Sequence, residues 1–294
     1  LGGGRNIKNT WIIARTTLGD ALRKRVLLVF MMVAVVTLLL AMMLTYLTAR
    51  EQRTAFLALE LVIILIFGTL IAVTTAIFLI PDEIERRTIY SLLSKPVQRW
   101  EFFLGKFLGG VLTAGVCLAL MTLVLIVVVF LMAMRQPESA LGPMLQTSAE
   151  QEPLNVAKWF QRGGQDVALV LRGAYVIFFQ LVLVTAVATT LSLFVSPTVN
   201  FSLTMFLFIV GQVQFVLKAA LERNELPLTK VVVGVLYYLT PHFHDFNIMG
   251  SIIHSEVRIP VNHWLFAGEV SLYGLMYALF VAMLGILVFD RKEV

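Results

Sequence analysis

Long stretches without a single charged side chain constrain this chain more than any other feature. They cover residues 26–49 (24 residues), 61–81 (21), 107–134 (28), 173–217 (45), 231–244 (14) and 270–289 (20). A helix needs about 20 mostly apolar residues to cross the hydrocarbon core of a bilayer. As one helix the 45-residue run would reach about 67 Å at 1.5 Å per residue, roughly twice the hydrocarbon thickness, so it must turn. Ser196-Pro197-Thr198-Val199-Asn200 at its middle supplies the break. The 14-residue run is too short to cross and reads as interfacial or re-entrant. With 59% hydrophobic and 14% charged residues and a mean hydropathy of +0.88, the chain is not a free soluble protein.

The expected fold is an all-α membrane protein with six transmembrane helices, an N-terminal amphipathic interfacial helix, and a charged cytoplasmic helix between spans two and three. It forms a single transmembrane domain over 1–294. The interfacial helix is expected at 5–25 and the spans at 26–48, 57–80, 107–134, 172–195, 201–221 and 264–289. Between them lie a connecting segment at 81–106, an outer loop at 135–171, a tight turn at 196–200 and an outer or re-entrant loop at 222–263. The first apolar run exceeds the 7–15 residues of a signal-peptide core, so it reads as a retained span. An even number of spans puts both termini on one side. That side carries 13 of the 23 Lys and Arg residues in its shorter segments, which marks it as cytoplasmic and the protein as multi-pass in the plasma membrane. All four tryptophans fall outside the span centres, where aromatic anchors belong.

Ahead of the first span, Ile7, Trp11, Ala14, Leu18 and Ala21 recur at steps of four and three, with Lys8, Arg15 and Arg23 off that stripe. Such a helix lies on the membrane surface, and its basic residues favour anionic lipid headgroups. It serves either as a plain anchor or as a relay of motion. The segment 81–106, PDEIERRTIYSLLSKPVQRWEFFLGK, carries the most information. Pro81 suits a first helical turn, and Asp82, Glu83 and Glu85 place negative charge where the helix dipole favours it. Ser94-Lys95-Pro96 then ends that helix, and a second one starting near Arg99 leads into span three.

The string EIERRTIYSLLSKPVQRWEFFLGKFLGG resembles the signature of ABC-2 type (type V exporter) permease subunits. The amphipathic N-terminus, the LSLFVSPTVNFSLT hairpin and the closing Phe289-Asp290-Arg291-Lys292-Glu293 resemble the same family in the same order. The resemblance implies a membrane permease that exports its substrate with the help of a separate ABC ATPase subunit, which binds ATP and Mg. It implies pairing with a second permease copy or a similar permease. It also makes the helix at 83–93 the coupling helix, with Glu83, Arg86, Arg87 and Tyr90 as docking residues, since Arg and Tyr are favoured interface anchors. The bland alternative is a solvated connector.

The chain lacks a G-x-x-x-x-G-K-[ST] phosphate loop, so ATP hydrolysis is expected elsewhere, with no cofactor held by this chain. No nucleophile and base face each other in its loops, and an enzyme is not expected. No basic face with interleaved aromatics points to nucleic acid. The single cysteine, Cys117, excludes an intrachain disulfide. All four histidines lie between spans five and six, and His242, His244 and Asp245 stand close in sequence. Their spacing is loose for a metal, and polar rings at headgroup level explain them as well. Gln180, Asn200, Gln212 and Gln214 are candidate substrate contacts or, equally, helix–helix glue. Glu60, Arg172, Lys218 and Glu269 sit near outer span ends and are expected to snorkel to water. Without a buried acid, an ion-coupled secondary transporter is disfavoured. A non-transporting scaffold or assembly protein remains a third reading. The small-residue steps Gly105-x-x-x-Gly109 and Gly110-x-x-x-Ala114 are expected to pack within the chain.

Overall fold

The computed structural model describes residues 3–44, 52–81, 98–135, 156–223, 227–246 and 263–291. Regular structure among the described residues is helical throughout. The elements are α1 (Gly3–Leu22), α2 (Arg25–Leu44), α3 (Gln52–Phe78), α4 (Arg99–Arg135), α5 (Val156–Leu191), α6 (Pro197–Gln212), α7 (Gln214–Arg223), α8 (Pro227–Leu239) and α9 (His263–Arg291), with a short 3-10 turn at Phe243–Phe246. Of these, α3, α4, α5 and α9 are each long and apolar enough to cross a membrane. Two bent pairs, α1 with α2 (67°) and α6 with α7 (62°), bring the number of spans to as many as six.

The breaks follow from local chemistry. Lys24 separates α1 from α2, and its carbonyl already accepts the Leu27 and Leu28 amides at 3.1 and 3.3 Å. Between α5 and α6 the chain turns at residues 192–196, and Pro197 enters the first turn of α6, where a missing N–H costs nothing. With 16 residues, α6 spans only about 24 Å at 1.5 Å per residue. The apolar run 201–221 therefore does not form one straight helix: it bends at Val213 between α6 and α7. Gly211 shows why the bend lies there. A Cβ on it would stand 2.7 Å from the Pro241 carbonyl oxygen and run into Phe243, because the 3-10 turn presses on the end of α6. Helix also extends into segments expected to be loop, since α5 begins at Val156 and α8 occupies part of 222–263.

The order of contacts fixes the bundle. Gly110 of α4 faces Thr185 of α5, and Gly115 faces Phe178. Rising along α4 thus means descending along α5, so the two run antiparallel. Gly274 and Gly285 of α9 face Phe179 and Thr190 of α5, so those two run parallel. From residue 180 to 189 every α5 position except Val187 is buried. A helix covered on all sides is the core of its bundle, and α5 accordingly contributes to both apolar clusters, one with Phe102, Phe103 and Phe289 and one with Leu38, Leu61 and Met121. By contrast α9 leaves Leu265, Leu272, Met276, Phe280 and Met283 exposed, a face suited to lipid.

Candidate functional site

The proposed docking residues Glu83, Arg86, Arg87 and Tyr90 lie outside the described residues. What is described is the corner into which that segment feeds. Gln98 precedes α4, and Glu101, three residues later, is only 1% exposed. Its carboxylate accepts the Gln98 amide at 3.4 Å and the Asn9 side-chain amide of α1 at 3.3 Å. The first contact is the reach-back half of a capping box, and a carboxylate there also complements the helix dipole. The second ties α4 to α1. Beside it Arg99 donates to the Asp290 carbonyl oxygen at 3.3 Å, which places a cation at the C-terminal end of α9. Phe102 stacks on Phe289 with ring centroids 5.9 Å apart, and Phe103 meets the same ring at 6.3 Å. Lys106 is buried with its ammonium 5.8 Å from the Phe102 ring, within cation–π range.

The start of α4 lies directly along α1. A Cβ on Gly105 would be 3.1 Å from the Thr10 carbonyl oxygen, and one on Gly109 would be 3.0 Å from that of Ala14. The Gly105/Gly109 step is therefore an intrachain seam, where the missing side chains let two backbones approach. Sequence reasoning flagged the motif around Glu101 and the closing Phe289-Asp290 separately. It missed Asn9, and no spacing rule joins residues 92 positions apart.

The membrane candidates fall in different places. Gln180 is buried in the middle of α5, with its Nε2 unpartnered. At the α6–α7 bend, Gln212 Nε2 also lacks a partner. Gln214 instead clamps the bend to the end of α8, donating to the Thr240 carbonyl and hydroxyl, both at 3.0 Å. Asn200 is helix–helix glue as well: it donates to the Ala188 carbonyl at 2.9 Å across the α5–α6 turn and accepts from Thr204 at 3.0 Å.

Glu60 corrects an expectation. Rather than snorkelling, it is 0% exposed, and both carboxylate oxygens are buried with no hydrogen-bond partner among the described residues. Leu61 fills the space beside Gly173, so Glu60 of α3 lies level with Arg172 of α5. Arg172 Nε is likewise unpartnered, and its guanidinium rests 5.0 Å from the Trp264 ring centroid. An acid buried among membrane-spanning helices is costly, so a lack of buried acids no longer weighs against an ion-coupled carrier.

The histidine loop makes aromatic contacts. The His242 ring meets Tyr237 edge-on at 5.1 Å, its backbone amide donates to the Tyr273 hydroxyl at 3.2 Å, and His244 lies 5.3 Å from Phe215. Among the described residues no three His, Cys, Asp or Glu side chains gather as a metal site. Cys117 is buried and free.

The picture is a helical bundle whose one end gathers α1, α4 and α9 around the entry of a charged connecting segment, and whose apolar faces suit a bilayer. No curated protein matches the chain. The family model of the ABC-2 family transporter proteins matches residues 11–294, and the chain belongs to that family.

Proposed function

We propose that this chain is the translocation subunit of an ATP-driven exporter, with six spans, both termini on the cytoplasmic face of the plasma membrane, and a coupling helix at 83–93 that docks on a separate ABC ATPase. Membership of the ABC-2 family supports the permease role and an ATPase partner in general. The observation that carries the coupling reading is the corner itself. The connecting segment enters α4 at Gln98, where Glu101, Asn9 and Arg99 tie α4 to α1 and α9 within one turn. A push delivered by the partner at 83–93 then moves three helices together, and such packed units switch as rigid bodies. ATP and Mg bind in the partner, and two permease copies enclose the pathway. Energy enters as the partner's differential affinity for the two arrangements of the bundle.

Co-expression with a candidate ABC ATPase, pull-down and ATP hydrolysis in nanodiscs test this reading. We expect co-purification and turnover that are lost when Arg86, Arg87 and Tyr90 are all alanine. A chain that purifies alone, or hydrolysis indifferent to the triple change, defeats the docking assignment. Buried Glu60 favours one competing reading, an ion-coupled carrier. Flux driven by an ion gradient in vesicles without nucleotide would establish that instead.

A further inference from the structure

Residues 240–246 follow α8 and strap the end of α6 to α9. On the α6 side Phe243 presses into the notch left by Gly211 and meets the Phe208 ring at a centroid distance of 5.5 Å. On the α9 side Phe246 fills the notch at Gly274, where a Cβ would stand 2.6 Å from its ring. The Tyr273 hydroxyl, next to that notch, accepts the His242 amide at 3.2 Å. Phe243 and Phe246 are 2% and 3% exposed, so both rings are fully inserted. The backbone that carries them has little hold of its own. Among the described residues its bonds are Phe243 N–H to the Pro241 carbonyl at 2.8 Å and Asp245 N–H to the His242 carbonyl at 3.3 Å, and a single 3-10 turn is a weak element. Two rings seated in two glycine notches hold it in place.

Buried amides surround the strap. An added Cβ on Gly274 would also lie 3.6 Å from the Phe179 carbonyl oxygen, so Phe246 ends beside the residue before Gln180. From the other side, the Asn200–Ala188 bond sets the register of α6 against α5. Eight residues on from Asn200 is Phe208, and eight back from Ala188 is Gln180. The strap therefore lies over α5 at Gln180, which is 1% exposed and whose Nε2 has no partner among the described residues. Gln212 Nε2 and Gln214 Oε1, on either side of the bend after Gly211, are likewise buried without one. A permanent core contact gains nothing from unpaired amides around it, because each is a cost that only a second arrangement or a ligand relieves.

We propose that the strap is a gate: Phe243 and Phe246 close one end of the export path in this arrangement, and their withdrawal uncovers Gln180 as a residue of that path. Its amide then meets water or an acceptor oxygen of the cargo. The gate rests on the permease reading, but it is measured on the permease alone, whereas the pull-down above measures the ATPase partner, so either can fail without the other.

Thiol labelling of the full chain in nanodiscs tests it, with Cys117→Ala as background and either Gln180→Cys or Thr189→Cys as reporter. Thr189, 0% exposed and further along the same helix, reports loss of fold. With the strap intact, Gln180→Cys should react slowly with a polar maleimide. Adding Phe246→Ala should speed its labelling by about tenfold or more, as expected when the closed arrangement loses the packing of one ring, and should leave Thr189→Cys unchanged. Tyr273→Phe, which removes only the oxygen that accepts the His242 amide, should give a smaller rise at Gln180→Cys. Rapid labelling of Gln180→Cys with the strap intact, or equal rates with and without Phe246→Ala, overturns the gate. If Phe246→Ala exposes both reporters, Tyr273→Phe decides, and no rise at Gln180→Cys in that variant overturns it as well.

Discussion

The corner of α1, α4 and α9 and the opposite end of the bundle handle polar groups in contrary ways. At the corner, Glu101, Asn9 and Arg99 are buried or half-buried and satisfy one another or a helix end. The exception, the Thr17 hydroxyl, is unpartnered, but that residue's methyl face fills the space over Gly109. Away from the corner Glu60, Arg172 and Gln212 keep buried polar atoms that have no partner among the described residues, beside the satisfied Gln214–Thr240 clamp. A satisfied network is rigid and specifies one arrangement, whereas an orphaned buried group costs about 1–3 kcal/mol and persists where another state or a ligand relieves it.

Substitutions can break this contrast. The largest effect is expected at the corner seam. Gly109→Leu has no room against Thr17 and the Ala14 carbonyl, and should destabilise the chain by about 3 kcal/mol through overpacking, read as a fall in melting temperature of the purified protein. Little change would mean that α1 does not lie on α4. Next, Glu101→Ala removes two hydrogen bonds from a buried carboxylate and should cost about 2 kcal/mol, with Glu101→Gln recovering part of it.

Glu60→Met tests the other end, and the expected sign is opposite. Deleting an unpartnered buried carboxylate should raise stability by about 1 kcal/mol or more, while nucleotide-driven turnover with the ATPase partner falls if the group serves the cycle. A loss of stability would show that Glu60 has a partner and that the contrast is false. The smallest effect belongs to His242→Ala. It gives up ring contacts with Tyr237 and Tyr273, about 0.5 kcal/mol, and equilibrium dialysis should show no change in zinc retention.

Much of the architecture could be read directly from the residues. Ser196-Pro197 announced the turn between α5 and α6 because proline has no amide to continue a ladder. The helix from Arg99 into the next span followed from Pro96 and the aromatic run after it. Span five was less legible. Its apolar run has no proline or charge near Val213, and the bend reflects the pressure of Phe243 on Gly211 and the Gln214–Thr240 clamp, contacts formed only after the chain returns. The proposed docking residues rest on a motif alone, whereas Asn9 and the burial of Glu60 carried no local signal.

By itself, the sequence determined that this protein is helical and lives in a membrane. Those properties are local: charge-free length sets the span, and each helix satisfies its own backbone where no water can. Only the tertiary structure decided which polar groups are paired and which are buried alone. That depends on residues as distant as Arg99 and Asp290, 191 positions apart, and on whether a carboxylate such as Glu60 ends at a helix face that packs or one that reaches solvent. Packing among several helices sets both, and no single helix encodes it.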